Sequence, residues 1–170
     1  FTFQVINRDF AMDMLSGFIH ASDSGVVTVK GELRFSDFVK VTKEDVEKMI
    51  KVTTTHKQKP IAEIVPTDNP LYFEFVINNV QKENEDFPLK IEVDGNPLGV
   101  DKKISREVTI PAKDRFLFLS ANRVYEPENG IEVIFSESVS TSQNLKGLIT
   151  VTGASNVRLQ PKDNVVNVYF

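Results

Sequence analysis

Apolar and polar residues alternate along most of the chain, the mark of strands with one buried face. "GVVTVKGELRF" puts Val27, Val29, Gly31, Leu33 and Phe35 on one side and Val26, Thr28, Lys30, Glu32 and Arg34 on the other. "LYFEFVI" reads Leu71, Phe73, Phe75 and Ile77 inward, and "LKIEVDG" reads Leu89, Ile91 and Val93 inward. "REVTI" adds Val108 and Ile110. "RFLFLSA" sets Phe116, Phe118 and Ser120 against Leu117, Leu119 and Ala121. "GIEVIF" offers Ile131 and Val133, with Ile134 inward as well if both faces are covered. "FTFQVI" opens the chain with Phe1, Phe3 and Val5 on one face, and "NVVNVYF" closes it with Val166, Val168 and Phe170.

Turn chemistry separates these runs. Asp94-Gly95-Asn96-Pro97 and Asn129-Gly130 are the strongest turn signals, because glycine takes positive φ cheaply. Pro66 to Pro70, "PTDNP", encloses another. One short helix is expected over 43–50. Thr42 with Asp45 three residues on fits a capping box, and Val46, Met49 and Ile50 keep helical spacing. Strands and turns recurring every 8–12 residues or so predict an all-β sandwich.

The chain also repeats itself. Gly31–Lys43 aligns with Ile131–Gln143, with Glu32/Glu132, Phe35/Phe135, Ser36/Ser136 and Val39/Val139 identical. "MIKVT" (Met49–Thr53) then meets "LITVT" (Leu148–Thr152), and "NPLYFEF" (Asn69–Phe75) meets "NVVNVYF" (Asn164–Phe170). Self-similarity in one order means two units of one fold. The expected organisation is therefore two tandem β-sandwich modules, 1–111 and 112–170, divided near Pro111–Lys113. The second copy stops where the first has two more strand-like runs, and the first residue falls inside an alternating run. A longer parent polypeptide is the expectation.

Composition narrows the function classes. The 170 residues are 41% hydrophobic and 26% charged, with a net charge of −4. That is the balance of a globular protein and disfavours a nucleic-acid partner. Without cysteine, the chain has no disulfide, thiolate metal ligand or thiol nucleophile. No apolar run reaches the ~20 residues that span a bilayer, so direct membrane insertion by this segment is not expected.

Candidate chemistry is sparse. His20 and His56 lack a metal-spaced partner and read as edge or loop histidines. Glu83, Glu85 and Asp86 in one stretch, and Glu126 and Glu128 in another, carry oxygens calcium could use, but neither stretch has calcium-loop spacing. Ser36 and Ser136 lie outside any nucleophile-elbow pattern, and a serine before an acid at a strand end reads as turn chemistry. The 13 phenylalanines, against 3 tyrosines and no tryptophan, read as core, with Phe38 and Tyr125 the candidates for exposed aromatics. No catalytic, cofactor-binding or metal-binding residue is assigned, no cofactor is expected, and the chain reads as a non-enzyme.

"GIEVIFSESVSTSQNLKGLITVTG" resembles the bacterial Ig-like module, in which a strand ending F-S-[DE]-x-[VL] is followed by a polar stretch and an L-I-x-V strand. "EVTIPAKDRFLFLSANRVYEPENGIEVIFSESV" and "LKIEVDGNPLGVDKK" resemble the N-terminal region of bacterial alpha-2-macroglobulin family proteins, especially the large Bacteroidetes envelope proteins. The likeness is best over Leu71–Phe170 and weak before Gly25. It implies Ig-like or macroglobulin-like sandwiches serving as scaffold in a secreted, periplasmic or lipoprotein-anchored protease inhibitor. The implied partners are other modules of the same long chain and proteases trapped by the whole protein. The family's Cys-x-Glu-Gln thioester cannot lie in this cysteine-free stretch. The alternative is a set of Ig-like spacer or binding modules from a cell-surface adhesin or polysaccharide-binding protein.

Overall fold

The computed structural model describes residues 7–21, 25–36, 40–126, 128–154 and 156–170, with the backbone alone at 16–18 and 20. The opening run Phe1–Val5, the repeat position Val39 and the aromatic Phe38 lie outside the described residues. The elements run β1 (Asp9–Ala21), β2 (Val26–Ser36), α1 (Lys43–Met49), β3 (Ile50–Thr54), β4 (Ala62–Pro66), β5 (Tyr72–Gln81) and β6 (Phe87–Asp94). They continue with β7 (Lys103–Ile110), β8 (Phe118–Val124), β9 (Gly130–Phe135), β10 (Arg158–Lys162) and β11 (Val165–Tyr169). The fold is all-β with sandwich character. Its three sheets are antiparallel, with strand orders β1-β2-β5-β4, β3-β6-β7 and β8-β9-β11-β10.

The first two sheets form a sandwich. Period-two alternation sends Val27, Val29, Leu33 and Phe35 of β2 and Phe73, Phe75 and Ile77 of β5 to one face, each at most 6% exposed. Phe87, Leu89, Ile91 and Val93 of β6 come from the facing sheet into the same cluster. At roughly 1.5–3 kcal/mol for each fully buried large apolar side chain, this cluster is the main source of cohesion. α1 caps one side. Thr42 Oγ1 accepts from the Asp45 amide and Asp45 Oδ2 accepts from the Thr42 amide, completing the expected box, and Val46 and Met49 are buried. Ile50 ends the helix and begins β3.

The second unit is one four-stranded sheet. Val166 and Val168 form a separate cluster with Val139 and Leu145 from the connection between β9 and β10. Ile131, Val133, Phe135 and Leu159 pack on it half-buried. Ile134, on the other side of β9, is 2% exposed, so β9 is buried on that side and only partly covered on the side of Val133 and Phe135.

The two units share one strand order, and their registers superpose. Phe10 pairs with Phe35 as Phe118 pairs with Phe135. Leu33 pairs with Phe73 as Val133 pairs with Val166. Phe73 pairs with Pro66 as Val166 pairs with Pro161. Both edge strands thus end in the same motif, "PTDN" (Pro66–Asn69) and "PKDN" (Pro161–Asn164). Seven positions separate Pro66 from Phe73, but five separate Pro161 from Val166. The gapless match of Asn69–Phe75 to Asn164–Phe170 is therefore off by two residues along the strand, which sets Phe73 against Val168 in place of Val166. An even slip keeps every side chain on its face, which is why the alternation did not expose it.

Other expectations need correction. "MIKVT" enters β3, but "LITVT" contributes only an isolated bridge, Lys146 to Ile149. Phe116 and Phe118 are 58% and 62% exposed, and Phe170 is 51% exposed, so these phenylalanines are not core. An irregularity between Phe118 and Ser120 shifts the β8 register and breaks the alternation read through "RFLFLSA". The turn glycines also act differently. Gly95 has φ −74°, and its Cβ would lie 2.5 Å from the Val100 carbonyl oxygen and 2.8 Å from a Phe10 ring carbon. Its need is for close approach, and the left-handed residue of that turn is Gly99 at φ +71°. A Cβ on Gly130 would lie 2.6 Å from the Val168 carbonyl oxygen.

Candidate functional site

Three polar side chains among the described residues are buried, Lys82, Ser136 and Asn164, and all three lie where the units meet. Lys82 follows β5 in the first unit. Its ammonium donates to the Ser136 carbonyl and the Glu137 carboxylate of the second, and its amide donates to Gly25 O at 2.9 Å. The Lys82 side chain has no solvent exposure, and that of Glu137 is 25% exposed. A buried ammonium is tolerated only with such acceptors, because desolvation otherwise costs several kcal/mol.

Asn164 repeats the device from the other side. Its Nδ2 donates to Ile19 O of β1 at 3.0 Å and to Phe135 O of β9 at 2.8 Å, joining both units through one amide. Ser138 Oγ adds a bond to Ala21 O. Ser136 Oγ donates to Arg115 O and accepts from the Leu117 amide at 2.8 Å, pinning the segment that leads into β8. Its counterpart Ser36 bonds Asp9 O, at the start of β1. The repeated serine joins the end of β2 to the start of β1 in the first unit, and the residue after β9 to the segment before β8 in the second.

The acidic stretch 83–86 belongs to the same junction. Asp86 accepts from the Ala112 amide at 2.9 Å and pairs with Arg115, and Glu83 O accepts from the Lys113 amide. Glu83 also accepts from Gln58 Nε2 at 3.2 Å, while Glu85 is exposed. These bonds fix the connector through Pro111–Lys113. In the second acidic stretch, Glu126 is exposed and Glu128 pairs with Arg158, whose guanidinium lies over the Tyr169 ring. Tyr125 is 66% exposed beneath Arg123.

The histidines are not brought together. The backbone of His20, in β1, pairs with Thr28 of β2, and its side chain lies outside the described residues. The half-buried ring of His56 meets Phe87 edge-on at 4.5 Å. Among the described residues no three His, Asp or Glu side chains gather as a metal site. No described helix is long and apolar enough to cross a membrane.

Lys82 and Asn164 escaped the sequence reading. Lys82 looks like any loop lysine in "VQKENED", and the irregular end of β5, with Asn79 at φ +58°, hides that it points inward. No family model, curated protein or solved structure matches the chain.

Proposed function

We infer that this chain is a non-catalytic scaffold segment that holds two β units in a set relative orientation. Its larger setting, on this reading, is an envelope alpha-2-macroglobulin-like protease inhibitor. The observation that carries the scaffold part is the burial of Lys82, Ser136 and Asn164 at one junction. The Lys82 ammonium finds its acceptors, the Ser136 carbonyl and Glu137, and the Asn164 amide finds the Ile19 carbonyl, only while the units stay docked. Separating or rotating the units strands those groups, at a cost of about 1–3 kcal/mol for each unmet bond. Such a junction transmits force and orientation rather than swinging freely.

The inhibitor setting is supported by the "IPA", "DG" and "F-S-E" motifs quoted above and by the tandem repeat. It places the segment outside the cytoplasm, next to further modules of the same polypeptide, with proteases as partners of the whole. The test is to incubate the parent protein with several endoproteinases and separate the mixture by size. Proteases carried in the large fraction after cleavage support the reading. Proteases that cleave and elute alone overturn the inhibitor setting. The scaffold part is tested separately by NMR relaxation of the 170-residue chain, in which both units should tumble with one correlation time.

A further inference from the structure

Equivalent positions in the two units differ sharply in burial. Phe10 is 2% exposed, and its counterpart Phe118 is 62% exposed. Met12 is 1% exposed, while Ala121, which holds the matching place opposite Val133, is exposed. Leu33 and Phe35 are buried and their counterparts Val133 and Phe135 are half-buried, whereas one strand further from β8 Val166 is as buried as its counterpart Phe73. Phe116, itself exposed, stacks on Phe135 with centroids 4.9 Å apart. The second sheet thus presents a contiguous apolar face along β8 and β9.

The first unit shows what such a face takes. The turn joining β6 to β7 lies over Phe10, with Gly95 against its ring and Lys102 Nζ 5.4 Å from the ring centroid. The β3 and β4 edges adjoin, so β7 falls on the β1 side of the sandwich. In the second unit, Val139, Leu145, Ile149 and Val157 from the connection pack on the cluster. A groove of about 390 Å³ beside Leu145, Leu159 and Pro161 puts that connection on the β10 side. The β8 side is the exposed one.

We propose that the face formed by Phe116, Phe118, Val133 and Phe135 is a docking surface for an antiparallel strand pair. That pair comes after β11 in the same polypeptide, as β6 and β7 come after β5. The occupant has apolar residues at alternate positions, like Phe87, Leu89, Ile91 and Val93, and turns tightly over Phe118. This inference rests on the internal repeat and stands whether or not the parent retains proteases.

The chain has no cysteine, so Phe118→Cys supplies one thiol on an exposed side chain, with Ser142→Cys in the connection as control. Both should label rapidly in the 170-residue chain. In the parent polypeptide carried two strands past Phe170, labelling at Phe118→Cys should slow at least about tenfold while Ser142→Cys is unchanged. A folded extended chain with undiminished labelling at Phe118→Cys overturns the proposal. So does protection in the 170-residue chain that grows with its concentration, which would make a second copy the occupant. A parent sequence without an alternating strand pair after Phe170 overturns it as well.

Discussion

The ring of Phe75 covers the backbone of Gly31, its direct partner across β2 and β5. A Cβ on Gly31 would overlap the ring, lying 2.7 Å from Cε1 and 3.0 Å from the Asp13 carbonyl oxygen. Glycine is costly inside a strand, yet here the aromatic ring fills the space a side chain would take. Gly31→Ala should therefore destabilise the first unit by about 1–3 kcal/mol, the usual cost of overpacking. Phe75→Leu in the same chain should recover part of that loss. Urea unfolding of the two single variants and the double variant checks the coupling, and strict additivity would refute the contact as the cause.

Lys82 should matter beyond its own bonds, because it is the charged pin between the units. Lys82→Met keeps most of the buried stem but removes the donor to Ser136 O and Glu137. Glu137 is partly exposed and can rehydrate, so the loss should be nearer 2 kcal/mol than the 3–5 kcal/mol of a fully buried broken pair. The sharper signature is a change in cooperativity, with the second unit unfolding ahead of the first. Separate probes in β2 and β9 would report it, and coincident transitions in the variant would count against the pin.

Much of this architecture could be read from the residues, and the failures have physical causes. β2, β5, β6 and β7 each bury one face, so alternation named their inward residues. β8 lies against covering material mainly on its Leu119 side, and its register slips after Phe118, so alternation assigned the wrong phenylalanines to the core. The repeated "P-x-D-N" was available in the sequence, but a turn two residues longer in the first unit masked its pairing. The candidate site was least legible. Lys82 and Asn164 are buried by contacts between units, and no periodicity within either unit encodes that.

Asn164 tests the junction with little change of volume. Its Nδ2 serves the carbonyls of Ile19 and Phe135, and Asn164 is fully buried. Asn164→Leu removes both donors and should cost about 1–3 kcal/mol. Asn164→Asp should cost more, because it sets an acceptor against two carbonyl oxygens. Lowering the pH enough to protonate that carboxyl should recover stability in the Asp variant and not in the Leu variant. Thermal unfolding at neutral and acid pH distinguishes them.

Tyr72 provides a test at the alkaline end. Its hydroxyl donates to the Glu32 carboxylate, and that hydrogen bond holds the phenol's pKa above its ordinary value of 10.0. A raised folded value means the contribution is complete below the unfolded pKa and is lost as pH rises through the folded one. The tyrosinate absorbance step missing from Tyr72→Phe should fall above pH 10.0. Glu32→Gln should bring that step to lower pH, and an unmoved step would disprove the link.

The acid side runs the other way. Asp9 is held below the ordinary carboxylate range chiefly by Lys102, Asp94 by Lys103 and Glu92 by Lys90. Asp45 is held down by bonds from Thr42. For each, the folded pKa lies below the unfolded one. Its contribution is therefore present above the unfolded value and disappears as pH falls through the folded value. Stability should hold near neutrality and decline once pH drops below about 4–5. Salt separates the causes. The lysine pairs are exposed, so added salt should flatten their share of the decline. The Thr42 bonds have uncharged donors, so Asp45→Asn should remove a share that salt leaves in place. Urea midpoints measured across pH at low and high salt decide it, and a salt-sensitive Asp45 share would contradict the capping account.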